Sequence, residues 1–216
     1  MISDKELLQI ITETSDKESR DEWIAIQRNS DLPLYNYRLD HIKRVVNLSK
    51  LIGRDVDANM EIVELAAWLH DIAKPGMGGV KNHGVESAKI AKAILLEHGY
   101  PRNTIDSVCD VIRKHVGLTL DIPLLPIEAQ VVWEADKLDK LGMIGFIHYI
   151  INGIKIHPGR SMNEMAESLK EYLPLAEKIE RSMSSATAKR IAKKRLKHLN
   201  EISSRLDEEF TDNEMV

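Results

Sequence analysis

Apolar residues recur at helical spacing along most of the chain, and no stretch shows the strict alternation of a half-buried strand. Ser3-Asp4-Lys5-Glu6 reads as a capping box opening a short helix with Leu7, Leu8 and Ile11. From about Tyr35 to Ile52 an inward stripe of His41, Val45, Leu48 and Ile52 predicts a second helix, with Gly53 as its stop. Asp57 is placed to cap a third, whose stripe is Ile62, Leu65, Ala66, Leu69 and Ile72. That helix is expected to end near Lys74, because Pro75 and the glycines at 76, 78 and 79 cannot continue it. A further helix is predicted from about Gly84 to His98, with Gly99 as its stop. Pro101 then opens one carrying Ile105, Val108, Ile112 and His115. After the loop Gly117–Pro126 comes a helix with Val132, Ala135, Asp136 and Asp139. Pro158-Gly159 breaks the chain again. The stretch from about Met162 to Phe210 reads as two helices, divided at Pro174 or in the Ser182–Ser185 region. The expected class is all-α.

Composition narrows this picture. The 216 residues suffice for a buried core without staples, and 43% hydrophobic with 30% charged residues marks a folded chain. The expectation is a single domain over 1–216, with a core at about 35–145 and C-terminal helices at about 160–210 packed on it. Cys109 is the only cysteine, which excludes a disulfide framework and a thiolate zinc cage. The charge balance of 30 basic against 34 acidic residues argues against bulk nucleic-acid binding. No run approaches the ~18 apolar residues of a membrane span. The opening MISDKELLQI has acids where a signal peptide carries a basic region. A cytoplasmic protein is expected; the sequence is silent on oligomeric state.

The histidines and two aspartates change the picture further. His70-Asp71 closes the apolar segment AAWLHDIAKP, an odd place for a polar pair unless both grip something at the helix end. His41 lies on an inward helical face, His83 at the mouth of a helix, His115 at the end of an apolar stripe, and Asp136 on a helix that otherwise reads as core. Singly, each reads as a satisfied core histidine, a loop residue or an aspartate paired with Lys140. Together they would leave several buried polar groups without partners, and a shared metal satisfies them all.

The order His41, His70-Asp71, His83, His115, Asp136 resembles the HD-domain superfamily of metal-dependent phosphohydrolases. The segments YRLDHIKRV, LAAWLHDIAK and VVWEADKLDKLG carry the likeness, and IAKKRLKHL, at Ile191–Leu199, matches the helical tail of short members. The resemblance spans about Tyr35 to Phe210 and implies an HD-domain helical bundle with a C-terminal helical extension. It implies that His41, His70, Asp71 and Asp136 hold a first ion. Asp71 would bridge to a second ion held by His83 and His115. Close short relatives that use one metal have an acid where this chain has Lys74. The extra His83 and His115 instead resemble the binuclear branch, and no GYP signature points to cyclic dinucleotides. Imidazole and carboxylate ligands suit Fe or Mn best, with Ni, Zn or Mg as further candidates.

A phosphorylated small molecule, most simply a nucleotide, then needs cations. Lys74 follows Asp71 by one turn and is the candidate for binding phosphate and for catalysis beside Asp71. Arg44 lies one turn after His41, Lys137 adjoins Asp136, and Arg195 interrupts an apolar stripe of Ile191, Leu199, Ile202 and Leu206. Each also reads as a solvated or ion-paired charge. The basic run KRIAKKRLKHL reads as a solvated helix face, Trp23, Trp68 and Trp133 as core, and His98, His148 and His198 as surface or packing residues. His157 is placed in a loop. Three functions fit: a hydrolase using a metal-activated water on a nucleotide or small phosphoester, a di-iron oxygenase with the same ligands, and a binding module with a vestigial site.

Overall fold

The computed structural model describes residues 1–23, 35–76, 80–157 and 159–214, and among these the chain is helical with no strand. Gly78, Gly79 and Pro158, read above as chain breakers, lie outside the described residues.

Ser3 and Glu6 do form the capping box: Ser3 N–H donates to Glu6 Oε2 at 2.7 Å and Glu6 N–H to Ser3 Oγ at 3.2 Å. The helix they open, α1 (Asp4–Trp23), is far longer than its short apolar stripe suggests. Its buried face continues from Leu7 and Ile11 through Ser15 and Ser19. Their hydroxyls are satisfied by the Ile11 and Tyr35 carbonyls, so two small polar residues extend an inward face that apolar periodicity alone truncates.

Asn36 caps α2 (Tyr37–Asp55), accepting from Leu39 N–H at 3.0 Å. The helix runs through Gly53 rather than stopping there. A Cβ at Gly53 would lie 2.8 Å from Met60 Sδ, so the glycine allows close packing instead of ending the helix. The inward face is His41, Ile42, Val45, Val46, Ser49 and Ile52, with Leu48 only half-buried. Asn59, not Asp57, caps α3 (Met60–Leu69). The helix ends at Leu69, five residues before Lys74, in a turn closed by Ile72 N–H to Leu69 O and Lys74 N–H to Asp71 O. Such i to i−3 bonds tighten a helix end.

α4 (His83–Glu97) and α5 (Arg102–Lys114) follow as expected, with Gly99 in the left-handed region and Pro101 just before α5. Gly84 decides how closely they meet: a Cβ there would lie 2.6 Å from Val116 Cγ2 and 3.2 Å from Ile112 O. In α6 (Ile127–Leu138) every residue from Ala129 onward is buried, and Trp133 Nε1–H donates to Gly117 O at 3.1 Å.

The C-terminal part holds α7 (Gly142–Ile156), α8 (Met162–Arg181) and α9 (Ala186–Glu214). Of the two expected division points, the chain breaks at Ser182–Ser185. Pro174 is carried inside α8, whose buried face runs through Leu169, Ala176 and Ile179 on either side of it. The chain forms two compact units: Met1–Gly117 with Leu124–Asp136, and Leu118–Pro123 with Lys137–Val216. In the first, Ile42, Val45, Val63, Ala66, Leu69, Leu95, Val108 and Ile112 pack the core from α2 to α5. In the second, α9 packs on α7 and α8. No helix among the described residues is long and apolar enough to cross a membrane.

Candidate metal centre

The first unit buries an uncommon set of polar side chains. His41, His70, Asp71, His115 and Asp136 are each at most 4% exposed, and His83 is half-buried. They come from five places: the first turns of α2, the C-terminal end of α3, the first residue of α4, the C-terminal end of α5 and the last turn of α6. Three groups bring their ligand atoms within 4.8 Å of one another: His41, His70 and Asp71; His70, His115 and Asp136; Asp71, His83 and His115.

The tightened turn after α3 allows adjacent His70 and Asp71 to share one focus. The two Asp71 oxygens face different histidine pairs. Oδ2 lies 3.8 Å from His41 Nε2 and 3.7 Å from His70 Nε2, whereas Oδ1 lies 3.7 Å from His83 Nε2 and 3.5 Å from His115 Nε2. His41 Nε2 is also 3.4 Å from Asp136 Oδ1 and 3.4 Å from His70 Nε2. Gly84 makes the second pair possible, since its missing side chain lets the His83 ring come within 5.3 Å of the His115 ring, centre to centre.

Three of the imidazoles are oriented by the backbone. His70 Nδ1 donates to Ala67 O, His83 Nδ1 to Val80 O and His115 Nδ1 to Ile112 O. A carbonyl only accepts, so Nδ1 carries the proton and a neutral ring keeps its lone pair on Nε2, the atom facing Asp71. Burial pushes His70 down to about 3, so this ring is neutral at physiological pH. Burial also lowers His83. For Asp71 burial acts upward, but the Arg38 guanidinium together with the His70 and His115 rings outweighs it and holds the carboxyl well below its usual range. The cluster is therefore an ionised carboxylate surrounded by imidazole nitrogens, with Asp71 Oδ1 buried and accepting no hydrogen bond. Nitrogen and oxygen donors bonded at ~2.0–2.2 Å to a tetrahedral ion stand roughly 3.4 Å apart. The observed 3.4–3.8 Å separations and the bare Oδ1 fit a divalent cation.

The proposed phosphate ligands are more scattered. Lys74 follows the turn, half-buried, close enough that its charge contributes to lowering His83. Arg44 pairs with Asp40 at 3.0 Å on a partly exposed face. Lys137 is buried one residue after Asp136. Arg195 is in the second unit, where its guanidinium donates to the Leu138 carbonyl. Of the remaining histidines, His148 is buried and His157 exposed.

One residue of the cluster carries no role in the sequence reading. Arg38, 3% exposed, pairs through Nη1 with Asp71 Oδ2 and donates through Nη2 to Gly76 O at 3.0 Å. The available signal was a basic residue one turn before His41, at the N-terminal end of a helix, where the macrodipole disfavours a cation.

Residues 38–141 match the HD domain family, and the chain is an HD-domain protein. It is 27% identical over 162 residues to the uncharacterised protein YpgQ of Bacillus subtilis (strain 168), covering 72% of this chain and 75% of that protein. Its fold is similar to the crystal structure of Bacillus subtilis YpgQ in complex with ADP: TM-score 0.66 and 22% identity over 94% of this chain and 97% of the other. It is also similar to an HD-superfamily hydrolase from Bacillus thuringiensis, with a TM-score of 0.64 and 20% identity over 95% and 98% of the two chains. These structural likenesses establish a shared helical fold.

Proposed function

We propose that the protein is a metal-dependent phosphohydrolase acting on a nucleotide or a small phosphoester or phosphoanhydride. One observation carries the reading: the two oxygens of buried Asp71 face two separate pairs of Nε2 atoms. His41, His70, Asp71 and Asp136 would hold one ion. His83, His115 and the other Asp71 oxygen would hold a second. Fe or Mn suits this set best, with Ni, Zn or Mg able to substitute. Divalent ions in such a site supply Lewis acidity, which stabilises charge on phosphoryl oxygens and acidifies a nearby water.

The chain's own residues do the rest. Backbone-tied imidazoles keep their lone pairs inward, and buried Asp71 stays ionised. Lys74 is assigned to the substrate phosphate, because it leaves the turn after Asp71 with its charge felt at His83. Arg44 is assigned a supporting contact, whereas Lys137 and Arg195 belong to the second unit. A nucleotide is favoured because a protein of similar fold, YpgQ, has been crystallised with ADP. We further take residues 1–216 to act as one domain in a cytoplasmic protein.

The test is a panel of nucleotides and phosphoesters assayed with protein stripped of metal and reloaded with Mn or Fe, in air and without oxygen. Metal-dependent phosphate release in both atmospheres supports the reading. Turnover that requires oxygen and releases no phosphate would move the protein to the oxygenase class, which uses the same ligands.

A further inference from the structure

Arg38 is difficult to explain as a stabilising residue. It is a cation in the first turn of α2, where the helix dipole opposes it, and it is buried to 3% exposure. Its Nε is buried with no hydrogen-bond partner. What it does have is a fixed orientation. The guanidinium carbon sits 5.2 Å over the Tyr37 ring, which stacks on His41 with ring centres 5.8 Å apart and planes 4° from parallel. Nη1 takes Asp71 Oδ2, and Nη2 takes the carbonyl of Gly76, five residues further along the same turn. One planar fork therefore ties down both the carboxylate and the backbone that follows it.

The consequence falls on Oδ1. A carboxylate on a short side chain is free to rotate about its χ2 torsion, and nothing else donates to Asp71 Oδ1. With Oδ2 held by Arg38, Oδ1 is left bare and turned to His83 and His115, at 3.7 and 3.5 Å. The first half of the cluster depends less on this, since His41, His70 and Asp136 supply donors of their own.

We propose that Arg38 is a positioning residue. By fixing the Asp71 carboxylate it preorganises the half-site of Asp71 Oδ1, His83 and His115, and so sets the affinity of the second ion rather than the first. This rests on the two-ion reading above. Residues that orient metal ligands typically change affinity by 10–100-fold when replaced.

Calorimetric titration of metal-stripped full-length protein with Mn²⁺ tests it, using wild type, Arg38→Gln, Arg38→Lys and His83→Ala. Wild type tests the underlying reading: fewer than two ions per chain removes the second half-site, and the role of Arg38 with it. Given two ions, Arg38→Gln is expected to weaken the second by ~10-fold or more, towards the behaviour of His83→Ala, while the first changes by less than about threefold. Arg38→Lys restores the charge but not the fork and is expected to fall between them. It also serves if Arg38→Gln does not fold. Three results would overturn the proposal. Equal weakening of both affinities marks a general loss of structure. Tighter binding of both ions means that the cation merely opposes them. Wild-type affinities for both ions with a raised KM make Arg38 a substrate ligand.

Discussion

Asp71 in the first unit and Asp139 in the second are both buried beside histidine, at 4% and 2% exposure. Around Asp71 three imidazoles spend Nδ1 on the carbonyl three residues earlier, so that Nε2 points at the carboxylate. At Asp139 it is His148 Nδ1 itself that lies 3.8 Å from the carboxylate. The two arrangements differ in what fixes the ring. A backbone carbonyl sets the tautomer and leaves a lone pair for a cation, whereas at His148 it is Nδ1 that is turned to the carboxylate, at ion-pair range. Both are buried aspartates, and the four imidazoles gathered at Asp71, with the ring nitrogen three of them turn to it, set it apart from the His148 contact of Asp139.

Asp71→Ala should break the contrast most completely. It removes the group facing both histidine pairs, so elemental analysis should find neither ion and phosphate release should fall to background. It also strands Arg38 as an unpaired buried charge, so stripped protein should lose about 3–5 kcal/mol in a denaturant melt. Full metal content in this variant would remove Asp71 from the centre. Lys74→Ala should keep both ions and the fold but lower kcat/KM by ~10²-fold, the scale of a lost charge-assisted contact in a water-poor site. Equal turnover by wild type and variant would take Lys74 out of the mechanism.

His83→Ala and His115→Ala should each lower occupancy by one ion and leave the other. Unchanged metal content and turnover in both would return these histidines to a packing role. The pH dependence of stripped protein sharpens the comparison further. Folded His70 titrates near 3 against an ordinary 6.5, so between those values the unfolded chain binds the extra proton. Stability should therefore be full above pH 6.5 and decline as pH falls, by up to about 1.4 kcal/mol per pH unit from this group. His83 pulls in the same direction. Asp71, held below its ordinary 3.8, adds a loss only below that pH. A melting temperature flat from pH 7 to 4 would show that His70 is not held neutral. The smallest change is expected at the second unit: Asp139→Asn should cost about 1–3 kcal/mol as a disturbed buried pair and leave metal content untouched. Loss of an ion from that variant would erase the distinction between the two aspartates.

Much of the helical order was legible in the chain, because apolar positions repeating at 3.6 residues can bury only on one face. The misreadings share a cause. Apolar periodicity ends α1 too early because Ser15 and Ser19 face inward without being apolar, and their hydroxyls find carbonyls only once the helix is packed. Gly53 reads as a terminator because a glycine's lack of a side chain serves a helix end or a close approach equally well, and Met60 decides which.

The candidate site divides in the same way. The order and helix-face positions of His41, His70, Asp71, His83, His115 and Asp136 are properties of the sequence, as is the improbability of turning several such groups inward without a shared partner. The sequence also holds Arg38, but a cation one turn before His41 reads as solvated until Asp71, 33 residues later, is seen beside it. Tertiary structure alone decided which Asp71 oxygen faces which histidines, that Gly84 admits His83 to His115, and that the imidazole Nδ1 atoms are taken by the backbone. The physical reason is range. Periodicity records which face of a helix turns inward, whereas a coordination geometry is set by side-chain orientations among five segments whose approach is fixed only when the core closes.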